Sequence, residues 1–464
     1  MIRLAYGRML REALDGEHGL TSTQLADLGR RFSAVREEVQ SRRAAGEYGF
    51  YGLVDQGPTV HAIKTFAEGL GQAHDHVLVL GIGGSALGTK ALLNALRPPG
   101  WNEWDDEGRE FFPRLTILEN VDPTSVAAAL ERIDPRRVLV NVISKSGGTA
   151  ETMAQYLVVR AWLERALGEA AHRHLVFTTD PERGALRELA QRDHVATLDV
   201  PANVGGRFSV LSPVGLLPAA LVGIDVDGLL SGARRALERS EAGDLLQNPP
   251  ALYAALHWLA DKELGARVHV LMPYTDRLRE FAEWYRQLWA ESLGKRVDRS
   301  GNVVHLGPTP VGAVGATDQH SQVQLFMEGP FDKVITFIEV EDFGIDVPIP
   351  DPPEVSEVLP PDLAYLPGHT LGELLRAEYQ ATSAALAQMG RMSCTLKLPD
   401  LSAETVGEAI MFFQLATGYA GAWYGIDPFD QPGVELGKRL TYAAMGRPGY
   451  DAAAPDRPAA LHEV

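Results

Sequence analysis

The stretch VLVLGIGGSALG, residues 77–88, is an aliphatic run that breaks into a glycine turn and resumes as a helix-forming segment. Its apolar half is too uniform for a strand with one wet face. It reads as a strand buried on both sides, as in a parallel sheet covered by helices. Gly81, Gly83 and Gly84 permit a tight turn and a close approach of ligand to main chain. The unpaired amides that open the next helix, with the helix dipole, favour an anion there. A dinucleotide fold and a sugar-phosphate fold both satisfy this pattern.

Outward from that turn, apolar runs alternate with helical periodicity. Strands are expected at 76–80, 115–118, 138–143, 175–178 and 196–200, with helices at 150–167 and 182–192 among them. The pattern predicts a doubly wound α/β unit of about five parallel strands. A second α/β unit begins after Asn248-Pro249-Pro250, with strands expected at 268–272, 311–316, 333–340 and 392–398 and helices at 277–293, 371–390 and 403–424. The division expected is a helical N-terminal arm over 1–55, α/β units over 56–235 and 236–446, the latter with a C-terminal helix, and a mobile tail over 447–464. In the arm, Ser22 or Thr23 is the expected helix cap. The proline-dense stretch 347–367 reads as a connecting loop.

Composition narrows the function. The chain has 464 residues, 45% of them hydrophobic, which suits a globular protein with sizeable cores. No apolar run is long enough to span a bilayer, and the N-terminal MIRLAYGRMLREALDGE, interrupted by charge, is expected to be neither signal peptide nor anchor. The single cysteine, Cys394, excludes an intramolecular disulfide and a cysteine-based metal site, in keeping with a cytoplasmic protein. A formal net charge of -18 argues against a nucleic-acid partner. An acidic protein that binds an anion must build positive potential locally. Three of its few lysines, Lys145, Lys295 and Lys438, fall inside glycine-containing motifs.

The second such motif separates the two fold readings. Ser144-Lys145-Ser146-Gly147-Gly148-Thr149-Ala150-Glu151-Thr152 follows a strand and opens a helix. Its hydroxyls, exposed amides, lysine and helix N-terminus suit a compact phosphate monoester, although Thr149 could be a simple helix cap and Ser144 a turn former. A dinucleotide enzyme has no need of this second cradle. For the dinucleotide reading, Gly81-Ile82-Gly83 with Ala86 approximates GxGxxA, but Glu119 lies further along than the usual ribose-binding acid.

SKSGGTAET, with Val204-Gly205-Gly206-Arg207-Phe208-Ser209, Glu291-Ser292-Leu293-Gly294-Lys295, Asp318-Gln319-His320-Ser321-Gln322 and Phe429-Asp430-Gln431-Pro432-Gly433-Val434-Glu435-Leu436-Gly437-Lys438, resembles the glucose-6-phosphate isomerase family. The matches keep the family's order from about residue 50 to 445. The resemblance implies two sugar-isomerase (SIS) domains and the interconversion of glucose 6-phosphate and fructose 6-phosphate, in glycolysis and gluconeogenesis. Related alternatives are an isomerase that also accepts mannose 6-phosphate and a non-catalytic sugar-phosphate regulator. A regulator should lack the residues that do the chemistry.

Aldose–ketose conversion moves a proton between adjacent carbons through an enediolate, for which one carboxylate suffices without metal or other cofactor. Glu291, near the end of an amphipathic helix, is the candidate base, with Gln287 on the same face to bind sugar hydroxyls. Spacing alone equally allows an ordinary Glu291–Lys295 ion pair. Arg207 offers a planar fork of donors for the enediolate oxygens. His320 has the proton-transfer range for ring opening, with Lys438 beside it. By resemblance His320 is donated by the neighbouring subunit, which makes a homodimer a requirement of the chemistry. Also by resemblance, Ser144, Lys145, Ser146 and Thr149 hold the phosphate, Gly84, Ser85 and Gly206 line the sugar side, and Gln431 lies near the other end.

Overall fold

The computed structural model describes residues 1–69, 71–351 and 359–450. Its strands, in chain order, are β1 Arg3–Ala5, β2 His76–Leu80, β3 Arg114–Leu118, β4 Val138–Ser144, β5 Leu175–Thr179, β6 Ala196–Asp199, β7 Val268–Pro273, β8 Lys295–Val297, β9 Val303–Leu306, β10 Thr309–Gly312, β11 Lys333–Val340 and β12 Ser393–Leu398. They form two five-stranded sheets and one short hairpin, β8–β9.

The first sheet has the order β3-β2-β4-β5-β6 with every pairing parallel, as the alternation of strand and helix predicts. Every residue of β4 and β5 is buried, and only the first residue of β2 is not, which accounts for their uninterrupted aliphatic character. The chain leaves β2 for β3 on one side and β4 lies on the other, so the strand order reverses at β2. Loops leaving the carboxyl ends of β2 and β4 open onto the crevice at such a reversal, where ligands of α/β sheets bind. Those two loops are the glycine turn after Leu80 and the Ser144–Thr149 motif.

The second sheet has the order β1-β12-β11-β7-β10. Its pairings are parallel except at the edge, where β1 runs antiparallel to β12 with Leu4 opposite Leu396. The N-terminal arm is therefore not wholly helical, because its first residues close the open edge of a parallel sheet. The long helix of the arm, Ser22–Ala44, is capped by Thr21 rather than by Ser22 or Thr23. A capping box requires Glu or Gln three residues after the cap, and Gln24 stands at that distance from Thr21 and returns a bond to its amide. Ser22 instead donates to Glu12.

The strand expected at 311–316 lies earlier, as β10, because the residues after Gly312 leave the strand and turn into the 3-10 segment Thr317–His320. The helices expected at 277–293 and 371–390 run over Arg279–Leu293 and Leu371–Gln388, and that at 182–192 over Ala185–Asp193. Helix Ala403–Tyr424 is buried at every residue from Thr405 onward and packs against helix Val226–Arg239. Gly232 permits that contact, since a Cβ there would lie 1.7 Å from the carbonyl oxygen of Glu404. Part of the loop expected at 347–367 (352–358) and most of the tail (451–464) lie outside the described residues. Among the described residues no helix is long and apolar enough to cross a membrane.

Candidate active site

Three backbone segments from different parts of the chain converge. The turn Gly83–Ser85, in which Ser85 is half-buried, packs against both the turn Gly206–Phe208 and the helix Arg279–Leu293. Gly84 makes the first contact possible, because a Cβ there would lie 2.3 Å from the carbonyl carbon and oxygen of Gly206. Gly83, at φ +56°, faces Gln287, whose side-chain nitrogen would be 3.0 Å from an added Cβ. The helix Leu87–Leu96, which continues from this turn, is joined to the base of the Glu291 helix by Lys90, 3.1 Å from Glu280. Lys90 also lies 2.8 Å from Glu119. That carboxylate, the candidate ribose ligand of a dinucleotide fold, is occupied by an ion pair.

At the meeting point Arg207 Nη1 lies 3.3 Å from Glu291 Oε1, and Gln287 Nε2 donates to Glu291 Oε2 over 3.0 Å. The Gln287 Oε1 is buried and accepts from no group among the described residues, so it is available to a hydroxyl. Arg207 itself is buried, and its fork is almost fully engaged. Nε donates to Ser292 Oγ at 2.7 Å, Nη1 to Gln431 Oε1 at 2.9 Å, and Nη2 to the carbonyl oxygens of Pro428 and Asp430. Burial alone depresses the guanidinium pKa, and the nearby carboxylates, Glu291 foremost, oppose that shift. An arginine held this firmly keeps one cationic edge turned to the Glu291 carboxylate without reorganising.

Lys295 does not form the helical ion pair that its spacing from Glu291 allows. Its Nζ donates to the main-chain oxygen of Glu291 at 3.1 Å and to that of Asp430, and lies 3.0 Å from Asp430 Oδ1. The chain turns at Gly294, which takes Lys295 off the helix axis and under its end, so the Glu291 carboxylate stays free for Arg207 and Gln287. Ser292, Asp430 and this position of Lys295 were not legible as site features. Their partners come from loops distant in sequence.

The Ser144–Thr149 loop supplies hydroxyls at close quarters. Ser144 Oγ and Thr149 Oγ1 are 3.0 Å apart, and Ser146 Oγ is 3.4 Å from the same Thr149 oxygen. Thr149 occupies the cap position of helix Ala150–Leu167 but its side chain caps no amide, which leaves the first amides of the helix open to an anion. Lys145, expected at the phosphate, lies in the same loop. Its ammonium donates to the carbonyl oxygens of Ala202 at 2.7 Å and Val204 at 2.8 Å, tying the cradle to the strand-to-turn segment that carries Gly206 and Arg207. Its pKa is lowered by burial, with Asp180 opposing.

Two expected residues make no hydrogen bond or ion pair with this cluster. His320 is the exposed last residue of a 3-10 turn, and no hydrogen bond or ion pair joins it to Glu291. Lys438, on the helix Glu435–Ala444, is exposed and donates to Glu435 at 2.7 Å. No residue of that helix is buried.

A phosphoglucose isomerase family model matches residues 64–453. The chain is 47% identical over 445 residues to a glucose-6-phosphate isomerase of Rubrobacter xylanophilus, spanning 95% of this chain and 98% of that protein. Among solved structures it is similar to a hypothetical protein from Thermus thermophilus, with a TM-score of 0.85 at 40% identity, covering 96% of this chain and all (100%) of that one. It is also similar to a glucose-6-phosphate isomerase from Chlamydia trachomatis, with a TM-score of 0.72 at 26% identity over 84% of this chain and 73% of that one.

Proposed function

The chain belongs to the phosphoglucose isomerase family, and from that premise we propose that it interconverts D-glucose 6-phosphate and D-fructose 6-phosphate, as an aldose–ketose isomerase of glycolysis and gluconeogenesis. The observation that carries this reading is the Glu291 carboxylate, fixed by Arg207 at 3.3 Å and Gln287 at 3.0 Å beside two glycine-bearing loops. A single oriented carboxylate is what a proton transfer between adjacent carbons needs.

In this reading Ser144, Ser146, Thr149 and the open amides of the following helix bind the phosphate, and Lys145 sets the distance between that cradle and the Arg207 turn. Gly84, Ser85 and Gly206 form the sugar wall, with open space beside Gly206, where an added Cβ would meet nothing within 4 Å. Gln287 Oε1 accepts from a sugar hydroxyl and Gln431 lies at the far end. Glu291 removes the proton from one carbon and returns it to its neighbour, and Arg207 stabilises the negative charge of the enediolate. His320 and Lys438 open the sugar ring. Both stand on exposed elements of the single chain, which fits a site completed in a homodimer, with His320 arriving from the second subunit. The two sheets correspond to two sugar-isomerase (SIS) units. A cytoplasmic location fits the sugar-phosphate substrate and the single reduced cysteine, Cys394, which is buried.

The test is conversion of fructose 6-phosphate by purified protein stripped of divalent metal. Turnover should persist, and Glu291→Gln should lower kcat by about 10²–10⁴-fold, the usual contribution of a positioned base, while substrate still binds. An inactive wild type, or a variant with unchanged kcat, overturns the reading.

A further inference from the structure

A cavity lined by both apolar and charged residues lies at the edge of the second sheet, built from residues that play no part in the Glu291 cluster. Along β12, Ser393, Thr395 and Lys397 alternate onto one face, and Glu339 of β11 shares that face because it stands in register with Lys397. Helix Leu371–Gln388 lays Tyr379 over them, and Arg8, just beyond β1, closes the side. The cavity opens to solvent and its volume is about 400 Å³, within the range of small-molecule sites.

The bonding within the cavity is incomplete. Lys397 Nζ lies 2.9 Å from Glu339 Oε2, Tyr379 and Thr395 share a hydroxyl–hydroxyl bond of 2.9 Å, and Arg8 donates to Ser383 through one nitrogen of its fork. Ser393 is 1% exposed, yet its hydroxyl has no partner among the described residues. Buried hydroxyls are rarely left unpaired. Of the two cations that line the cavity, Lys397 is paired with Glu339 and also feels Glu341, whereas Arg8 has no carboxylate partner among the described residues. The remaining guanidinium donors and the Ser393 hydroxyl are the free valences of the cavity.

We propose that this cavity binds a small hydroxylated anion, a carboxylated or phosphorylated polyol about the size of a triose, with its charged end on Arg8 and Lys397 and a hydroxyl on Ser393. Because the site is formed where β1 closes the edge of the second sheet, occupancy fastens the N-terminal strand to β12. The ligand therefore acts on the stability of that edge and not on the proton transfer at Glu291.

Amide hydrogen exchange on the full-length chain reads this directly, in peptides covering residues 3–13 and 393–397. Separate probes are 3-phosphoglycerate, D-glycerate, inorganic phosphate and glycerol. Slowed exchange with 3-phosphoglycerate is expected, and none with glycerol. Protection by D-glycerate identifies the carboxylate as the charged end, and protection by phosphate identifies the phosphoryl group. Arg8→Met should raise the concentration for half-protection at least tenfold. Ser393→Ala, which removes one buried oxygen and is compatible with the fold, should raise it several-fold. The proposal is overturned if no anionic probe protects these peptides. It is equally overturned if Ser393→Ala or Arg8→Met protects at the wild-type concentration, since protection then spreads from elsewhere in the molecule.

Discussion

Arg207 Nη1 and Glu291 Oε1 stand 3.3 Å apart, and they belong to two different helical turns that meet only in the folded chain. The arginine is buried, whereas the glutamate side chain keeps 27% of its exposure. The pair is thus built with a fixed cation and an accessible carboxylate. That asymmetry suits a base that must reach substrate.

Replacing Arg207 by alanine is expected to lower kcat more than it raises KM, since the charge it meets forms only in the transition state. The same change removes four protein hydrogen-bond partners from a buried group and leaves Glu291 without its cation. Losing one partner of a fully buried pair costs about 3–5 kcal/mol, and the exposure of Glu291 puts this site toward the lower end. Steady-state kinetics on the folded fraction, alongside urea unfolding, separate the two effects. An unchanged kcat with a raised KM would leave Arg207 only a binding role.

Gly84→Ala should disable the enzyme without touching a polar group. The new Cβ would lie 2.3 Å from the Gly206 carbonyl group and 2.7 Å from the Arg207 amide, and neither backbone can yield without moving the guanidinium. A fall in kcat of at least about tenfold is expected, the size that small misplacement of catalytic groups produces. Gly29→Ala is the control, because it lies in helix Ser22–Ala44 with open space around it and gains up to about 1 kcal/mol of helix propensity. Full activity in Gly84→Ala would mean that the two turns need not touch.

If His320 crosses to the partner, two inactive variants should complement. Mixing Glu291→Gln with His320→Ala under conditions of subunit exchange forms hybrid dimers in which one site has both groups intact. Random pairing then restores about a quarter of wild-type activity. Failure to recover any activity, with hybrid dimers demonstrated by mass, would place His320 outside the neighbouring site.

Acid should destabilise the second sheet through buried neutral histidines. His269 accepts from Trp289 Nε1 at 3.0 Å, and burial lowers its pKa to about 3, while His257 beside it is held well below the ordinary value by burial and by His269. Below pH 6.5 the unfolded chain binds protons that the folded chain refuses, so stability falls as pH falls, by about 1.4 kcal/mol per unit for a fully neutral buried histidine, until the folded pKa is reached. Above pH 6.5 the two states bind equally and the effect vanishes. Urea midpoints at pH 7 and pH 5 should therefore differ, and His269→Gln should narrow the gap. A gap of the same width in the variant would remove His269 from the explanation.

The sequence by itself carried the parallel sheets, because strands buried on both faces need continuous aliphatic runs such as 77–80 and 138–143 and helices between them keep their own period. It also carried the residue types of the site, since Glu291, Arg207 and the Ser144–Thr149 hydroxyls sit in short motifs whose local geometry is set by glycine turns and helix starts. What tertiary structure alone decided is which of these groups face one another. Spacing allowed Lys295 to pair with the Glu291 carboxylate, but the turn at Gly294 carries its ammonium to the carbonyl of Glu291 and to Asp430. Nor did spacing reveal that the Lys145 ammonium ties down the 202–204 segment. Lys145 follows the carbonyls of Ala202 and Val204 and Lys295 follows Asp430, all from loops remote in sequence, and a long flexible side chain has no preferred partner until the fold brings one within reach. The same reason hid β1, whose three residues gain their strand conformation only from the open edge of β12.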